Sequence, residues 1–380
     1  MLNKVKKPRV IHILGDSEYG GGSKIVESII LASIRDGFDV GILSTNIKMM
    51  DEAKKLGAHV HFLKCIKSNI SPLSDLIGII KLCIFLKRNR FDIVHTHTTK
   101  AGMIGRLASL LAGVPLIFHT VHGFAFSEHS GRFKVKFYAL IERICAKACT
   151  KLITVSKYHK DWAVSLGIAN PDKIIAIPNG LENDKKLVKS ERKQVIFVGR
   201  MVREKGVEDL LKAFAFLLRE KSIERDVVLE LYGDGPDKPY FESLSDELGL
   251  IKHVTFYGFV KQEEMEIQSS SIFVLPSYRE GFSISLLEAM SLGLPIVATN
   301  IGGNKEALAN GEAGLLYTAG EVNDLARCLA ELLNNPEKAK LLSLKAKTIF
   351  YQEYTLDKMT SSYISLYKNS LGELSEKSKG

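Results

Sequence analysis

Ile272-Phe-Val-Leu-Pro276 is followed by Ser277-Tyr-Arg-Glu280-Gly281-Phe282-Ser283, then Ile284-Ser-Leu-Leu-Glu288-Ala-Met290, then Gly293-Leu-Pro295-Ile-Val-Ala-Thr-Asn-Ile-Gly302-Gly303. In order, these are a short apolar strand, a polar loop, a helix rich in apolar residues, and a second buried strand that ends in a glycine turn. A strand, helix and strand in succession build a parallel sheet. Ligands of open parallel sheets sit beyond the carboxyl ends of the strands, where Glu280 falls. Glu280 and Glu288 lie eight positions apart; an all-helical path would advance about 12 Å and turn about 80° between them. The two carboxylates therefore serve two parts of one long ligand. Gly281-Phe282-Ser283 stands just before the helix, where first-turn amides are free for an anion. The hydroxyls, ribose and phosphates of a sugar nucleotide match this set of groups.

The same alternation extends in both directions. Strand-like runs occur at 10–14, 39–43, 60–63, 93–95, 116–121, 152–155 and 174–177, with helical patterns at 23–36, 72–88, 101–112, 132–149 and 156–166. This is an α/β domain with a parallel sheet. Pro178-Asn179-Gly180 closes it, and the polar stretch 181–193 reads as a linker. A second series of strands follows at 194–198, 228–232, 254–257, 272–275, 296–298 and 314–316. Helical patterns at 322–334, 336–350 and 355–371 finish the chain, the last crossing back to the first domain. The expected division is 1–180, a linker at 181–193, a second domain at 194–354, and a C-terminal helix and tail at 355–380.

The 380 residues, 46% apolar, suffice for two full cores. The most apolar long segment, 70–86, is broken by Asp75 and Lys81 and is too short to span a bilayer. The apolar run 10–14 ends at Asp16, so the N-terminus reads as a first strand and not as an export signal. Five cysteines without a CxxC pair make a poor disulfide framework and point to a reducing, cytoplasmic setting. Charge is uneven: residues 1–180 hold 26 Lys+Arg against 13 Asp+Glu, giving +13, whereas the other 200 hold 26 against 30, giving −4. Cations concentrate at 87–90 and along 132–151, where Phe133, Phe137, Leu140, Ile141 and Ile144 recur at helical spacing. Either a solvated helix face or contact with an anionic membrane surface at the cytoplasmic side accounts for that pattern. No nucleic-acid-binding motif accompanies the charge.

Further chemistry lies at strand ends. Phe197-Val198-Gly199-Arg200 and Lys205-Gly206 set cations and glycines after the first strand of the second domain, a combination that can offset a diphosphate. Gly233-Asp234-Gly235 forms a turn after the next strand. In the first domain, Gly20-Gly21-Gly22 leads into a helix, but without the Gly-x-Gly-x-x-Gly spacing of a dinucleotide site. His119-Thr-Val-His122 ends a buried strand, His119 within it and His122 at its edge. His95 and His97 either face a substrate or merely finish their strand.

With these motifs the chain resembles, over nearly its whole length, the retaining glycosyltransferases of family 4 that build bacterial surface polysaccharides. The resemblance implies a GT-B fold, two Rossmann-like domains facing each other across a cleft. It also implies hexosyl or N-acetylhexosaminyl transfer from a nucleotide-sugar donor, with UDP favoured, to a glycan acceptor; the +13 first half and the cationic helix at 132–151 point to an acceptor of the lipid-diphosphate-linked kind. By resemblance Glu280 contacts donor-sugar hydroxyls, Glu288 the ribose, and Arg200 and Lys205 the diphosphate, while His122 lies by the reacting carbon. Gly21, Gly22, Gly199, Gly233, Gly281, Phe282 and Ser283 complete the donor set. One departure is Phe282-Ser283-Ile284-Ser285, where many relatives have a Phe-Gly-x-Pro turn. No Asp-x-Asp ends a strand, so neither a metal nor any other cofactor is expected. Two rival readings stay open at this point: a GT-B epimerase acting on the donor alone, and a non-catalytic sugar-nucleotide sensor.

Overall fold

The computed structural model describes residues 7–15, 19–63, 66, 71–127, 130–182, 193–261, 265, 267 and 271–377. They form two compact units, Met1–Gly180 with Leu356–Gly380, and Leu181–Thr355. Residues 183–192 of the expected linker lie outside the described residues.

The first unit contains β1 (Arg9–Ile13), α1 (Gly21–Arg35), β2 (Asp39–Leu43), α2 (Ile47–Lys55), β3 (His59–His61) and α3 (Pro72–Asn89). It continues with β4 (Ile93–His97), α4 (Thr99–Ala112), β5 (Leu116–Val121), α5 (Arg132–Lys147), β6 (Lys151–Thr154), α6 (Lys157–Ser165) and β7 (Ile174–Ala176). Its sheet runs β3-β2-β1-β4-β5-β6-β7, parallel throughout. Two local signals set boundaries. Pro72 at the start of α3 is tolerated because a first-turn N–H has no helical partner anyway, and Asn46 caps α2 by accepting from the Met49 amide at 3.0 Å. Helix α1 begins two residues before the expected 23, inside the glycine run.

The second unit holds β8 (Gln194–Val198), α7 (Val207–Arg219), β9 (Val228–Tyr232), α8 (Lys238–Glu247), β10 (Val254–Gly258) and β11 (Ser271–Leu275). Then come α9 (Ile284–Leu292), β12 (Ile296–Thr299), α10 (Gly302–Ala307), β13 (Leu315–Tyr317), α11 (Val322–Asn334) and α12 (Pro336–Glu353). The sheet order is β10-β9-β8-β11-β12-β13, again parallel. Its core includes Val195, Phe197, Phe214, Leu229 and Val274, each fully buried. Burial contributes roughly 1.5–3 kcal/mol for each such side chain.

Helix α13 (Leu356–Lys377) belongs to the first unit and ends six residues beyond the periodic pattern. Tyr363 and Tyr367 fix it there: both are buried, with hydroxyls bonded to Thr120 of β5 at 3.2 Å and to His95 of β4. Outside the sheet face, Lys368 pairs with Asp36 at 2.8 Å.

Candidate functional site

In the second unit the strand order reverses between β8 and β11, and the crevice beyond their carboxyl ends is the ligand position of open α/β sheets. Val198-Gly199-Arg200 leaves β8 there and Pro276 to Glu280 leaves β11. Two glycines let neighbouring loops touch. A Cβ on Gly206, which has φ +68°, would lie 2.0 Å from the Pro276 carbonyl oxygen; one on Gly233, φ +132°, would lie 1.9 Å from that of Gly199. Only glycine fits either place. The β8 loop is further stitched to the β9 loop by Met201 N–H to the Asp234 carbonyl at 2.8 Å, and to the β11 loop by Tyr278 N–H to the Glu204 carbonyl at 2.9 Å.

This closeness joins two residues that the sequence reading assigned to different parts of the ligand. Lys205 Nζ lies 2.6 Å from Glu280 Oε1, with the side chains only 25% and 10% exposed. The lysine is thereby held in place and the carboxylate keeps one oxygen for another donor. Arg200 is exposed where the chain leaves β8. Glu288 sits half-buried within α9, so the two glutamates are separated as the spacing requires.

Two expectations at the α9 entrance need correction. Ser283 is its N-cap, and its Oγ accepts from the Leu286 amide at 3.4 Å and meets Ser285 Oγ at 3.1 Å. That amide is already taken, which leaves Ile284 and Ser285 as the first-turn donors that helix geometry does not pair. Phe282 is 5% exposed and its ring packs on Tyr354 at 5.1 Å, so its side chain anchors the loop in the core. What positions 281–283 offer a ligand is therefore mainly backbone.

In the first unit the reversal lies between β1 and β4. His12 and His95 are register partners, and His97 lies two positions further along β4 on the same sheet face. His12 Nδ1 and His97 Nε2 are 3.1 Å apart, and His97 Nδ1 and His122 Nε2 3.2 Å, a chain of three imidazoles. His95 is bonded to Tyr367 and Thr120, and His119 on the opposite face to Thr96 at 2.9 Å. Desolvation favours the neutral ring: it lowers His12 to about 3 and His122 to about 4, and pushes His95, His97 and His119 well below the usual range. His122 is half-buried at the sheet edge, and its Nδ1 is a buried atom without a partner among the described residues. His95 and His97 thus finish their strand within a buried network.

Nitrogens of His12, His95 and His97 lie within 4.8 Å of one another, the one metal-like grouping among the described residues. His95, however, has both ring nitrogens engaged, by Tyr367 and Thr120, and its ring lies 4.2 Å from that of His97 in a tilted contact. The donor set suits hydrogen bonding better than coordination. At α1, Gly20 is the N-cap and Gly21 and Gly22 form the first turn; a Cβ on Gly20 or Gly22 would meet nothing within 4 Å. Among the described residues, no packing constraint requires glycine at 20 or 22.

Sequence reasoning missed the Lys205–Glu280 pair, because no local spacing links positions 75 apart. It also missed the stacked Tyr232 and Tyr257 beside Gly233, with rings 4.6 Å apart and both hydroxyls donating to Glu230.

The family model "Glycosyltransferase Family 4" matches residues 19–185 and "Glycosyl transferases group 1" matches 180–348. The chain is 30% identical over 357 residues to UDP-Gal:alpha-D-GlcNAc-diphosphoundecaprenol alpha-1,3-galactosyltransferase of Escherichia coli, covering 87% of this chain and 90% of that protein. It is 26% identical over 367 residues to the capsular polysaccharide biosynthesis glycosyltransferase CapM of Staphylococcus aureus, covering 89% and 93%. Among solved structures, Anabaena HepE in complex with UDP and glucose superposes with a TM-score of 0.78 at 19% identity, over 95% of this chain and 100% of that one.

Proposed function

The chain belongs to glycosyltransferase family 4 and has the GT-B fold, and on that premise we propose that it moves a sugar, with retention, from a UDP-sugar to a lipid-diphosphate-linked glycan in surface polysaccharide assembly. The observation that carries the reading is the half-buried Lys205–Glu280 pair at the β8/β11 reversal. Glu280 faces donor-sugar hydroxyls with the oxygen that Lys205 leaves over, Glu288 binds the ribose, and Lys205 with Arg200 meets the diphosphate. Backbone at Gly199, Gly233 and 281–283, and at Gly21 and Gly22, admits the donor closely. His122, at the carboxyl end of β5 and neutral by burial, lies by the reacting carbon of the sugar.

Charge builds on the diphosphate as the glycosidic bond breaks, so cations already in place lower the barrier without reorganising. Each charge-assisted bond is worth roughly 1.5–3 kcal/mol. The acceptor hydroxyl attacks on the face the leaving group departs from, and its proton passes to the departing phosphate oxygen. Donor and acceptor class are supported by the E. coli relative, whose name specifies UDP-Gal and a diphosphoundecaprenol-linked GlcNAc.

A thermal-shift panel of UDP-, GDP- and dTDP-sugars tests the donor, since a ligand of the folded state raises its apparent stability. A shift with a UDP-sugar, followed by an α-linked product from an α-linked donor in proton NMR, is expected. A shift confined to GDP-sugars, or an inverted product, would overturn the reading.

A further inference from the structure

Helix α3 turns an apolar stripe to solvent. Leu73, Leu76, Ile77, Ile80 and Ile84 recur at helical spacing and are 72, 54, 45, 52 and 46% exposed. A helix packed on a sheet ordinarily buries such a stripe; here Gly78, Leu82 and Leu86 face inward instead. Helix α5 repeats the arrangement, with Phe133 92% exposed and Phe137, Leu140 and Ile144 all more than half exposed.

Helix α4 packs against both. Two internal ion pairs tie the three together, Lys100 to Asp75 of α3 at 3.0 Å and Arg106 to Glu142 of α5 at 2.9 Å. Asp75 and Glu142 are the only carboxylates in α3 and α5, and both are buried. The outward faces therefore carry apolar side chains and cations but no acid: Lys81, Lys87 and Arg88 are exposed on α3, and Arg132, Lys134 and Lys136 on α5.

We propose that the α3 and α5 faces together dock on an anionic lipid bilayer, with the apolar stripes at the acyl boundary and the cations among lipid phosphates. Exposed apolar residues clustered on two helices exceed the scattered singles of an ordinary surface. Charge selects the occupant: a second copy would set cation against cation, whereas a phosphate-rich surface complements the whole face. Among the described residues no helix is long and apolar enough to cross a membrane, so contact would be peripheral for these elements. The proposal deepens the lipid-linked-acceptor reading, since it names the surface that brings the enzyme to such an acceptor.

Flotation with vesicles of phosphatidylglycerol and phosphatidylethanolamine, against phosphatidylcholine alone, tests it. The wild type should float with the anionic vesicles only. Leu76→Ser/Ile80→Ser and Phe133→Ser/Phe137→Ser should each weaken that binding by about tenfold or more, with unchanged melting because the residues are exposed. Lys134→Glu/Lys136→Glu should weaken it by at least about fivefold per cation at low salt. Wild-type protein that stays unbound at low salt, or a Leu76→Ser/Ile80→Ser variant that floats like wild type, would overturn the proposal. So would sedimentation showing a dimer that this variant dissociates with vesicle binding intact. Calorimetry with free UDP separates the two readings: lost flotation with normal UDP binding sinks only the docking surface, and absent UDP binding sinks only the transferase site.

Discussion

Both sheets are parallel and both reverse direction once, yet the first unit packs neutral imidazoles about its reversal and the second places charged side chains there. In the first unit His12, His95 and His97 are buried on one face, bonded to one another, to Thr120 and to Tyr367, so protonation would strand a charge. In the second, Gly206 and Gly233 bring loops into contact while Lys205 and Glu280 stay partly open to solvent. The same topology thus holds a buried cluster of neutral imidazoles in one case and a partly open ion pair in the other. Burial decides which.

The comparison breaks most visibly with acid. The buried His12, His95, His97, His119, His122 and His159 have folded pKa values below their unfolded value of about 6.5, so the unfolded chain binds the extra protons. Their stabilisation is complete above that pH and is lost as pH falls from about 6.5 toward about 4, each neutral ring forfeiting about 2 kcal/mol by pH 5. The second unit contains a single histidine, His253. Trp162, the sole tryptophan, lies in the first unit and reports on it. Its thermal transition should drop by more than about 10 °C between pH 7.5 and pH 5. A pH-independent transition would show that the histidine network is not held neutral.

A smaller effect, on rate, concerns the charged side of the contrast. Arg200→Ala and Lys205→Ala should each slow transfer by roughly ten- to a thousandfold with little change in melting, and EDTA should leave the wild-type rate unaltered. Steady-state kinetics checks all three. Inhibition by EDTA that magnesium or manganese reverses would mean that a cation other than these side chains meets the diphosphate.

The smallest expected effect sharpens the division between the glutamates. Glu288→Ala should weaken free-UDP binding by about tenfold, whereas Glu280→Gln should lower turnover and leave free-UDP affinity near wild type. Calorimetry with UDP decides it. Equal losses in both variants would show that the Lys205–Glu280 pair acts as a unit on the nucleotide.

Much of the architecture was legible because its signals are local. The apolar runs at 194–198 and 228–232 match β8 and β9 residue for residue, and the pattern at 322–334 matches α11. Helix α2, with apolar side chains at only four of its nine positions, carried too weak a pattern to be expected. At the candidate site, Glu280 and the Arg200–Lys205 loop were visible as strand-end residues, and Glu288 by its spacing from Glu280. The capping use of Ser283 and the burial of Phe282 were not, since each depends on what the loop packs against.

The sequence by itself determined the parallel α/β class, the two-domain order, the return of the last helix and the family, since periodicity and motif spacing are properties of contiguous residues. Tertiary structure alone decided partners and faces. Lys205 meets Glu280 across 75 positions and His95 meets Tyr367 across 272, distances at which no spacing rule operates. For α3 the sequence shows which residues share a stripe, but a stripe of leucine and isoleucine reads the same whether it meets a sheet or water. Only the packing of Gly78, Leu82 and Leu86 inward turned it out.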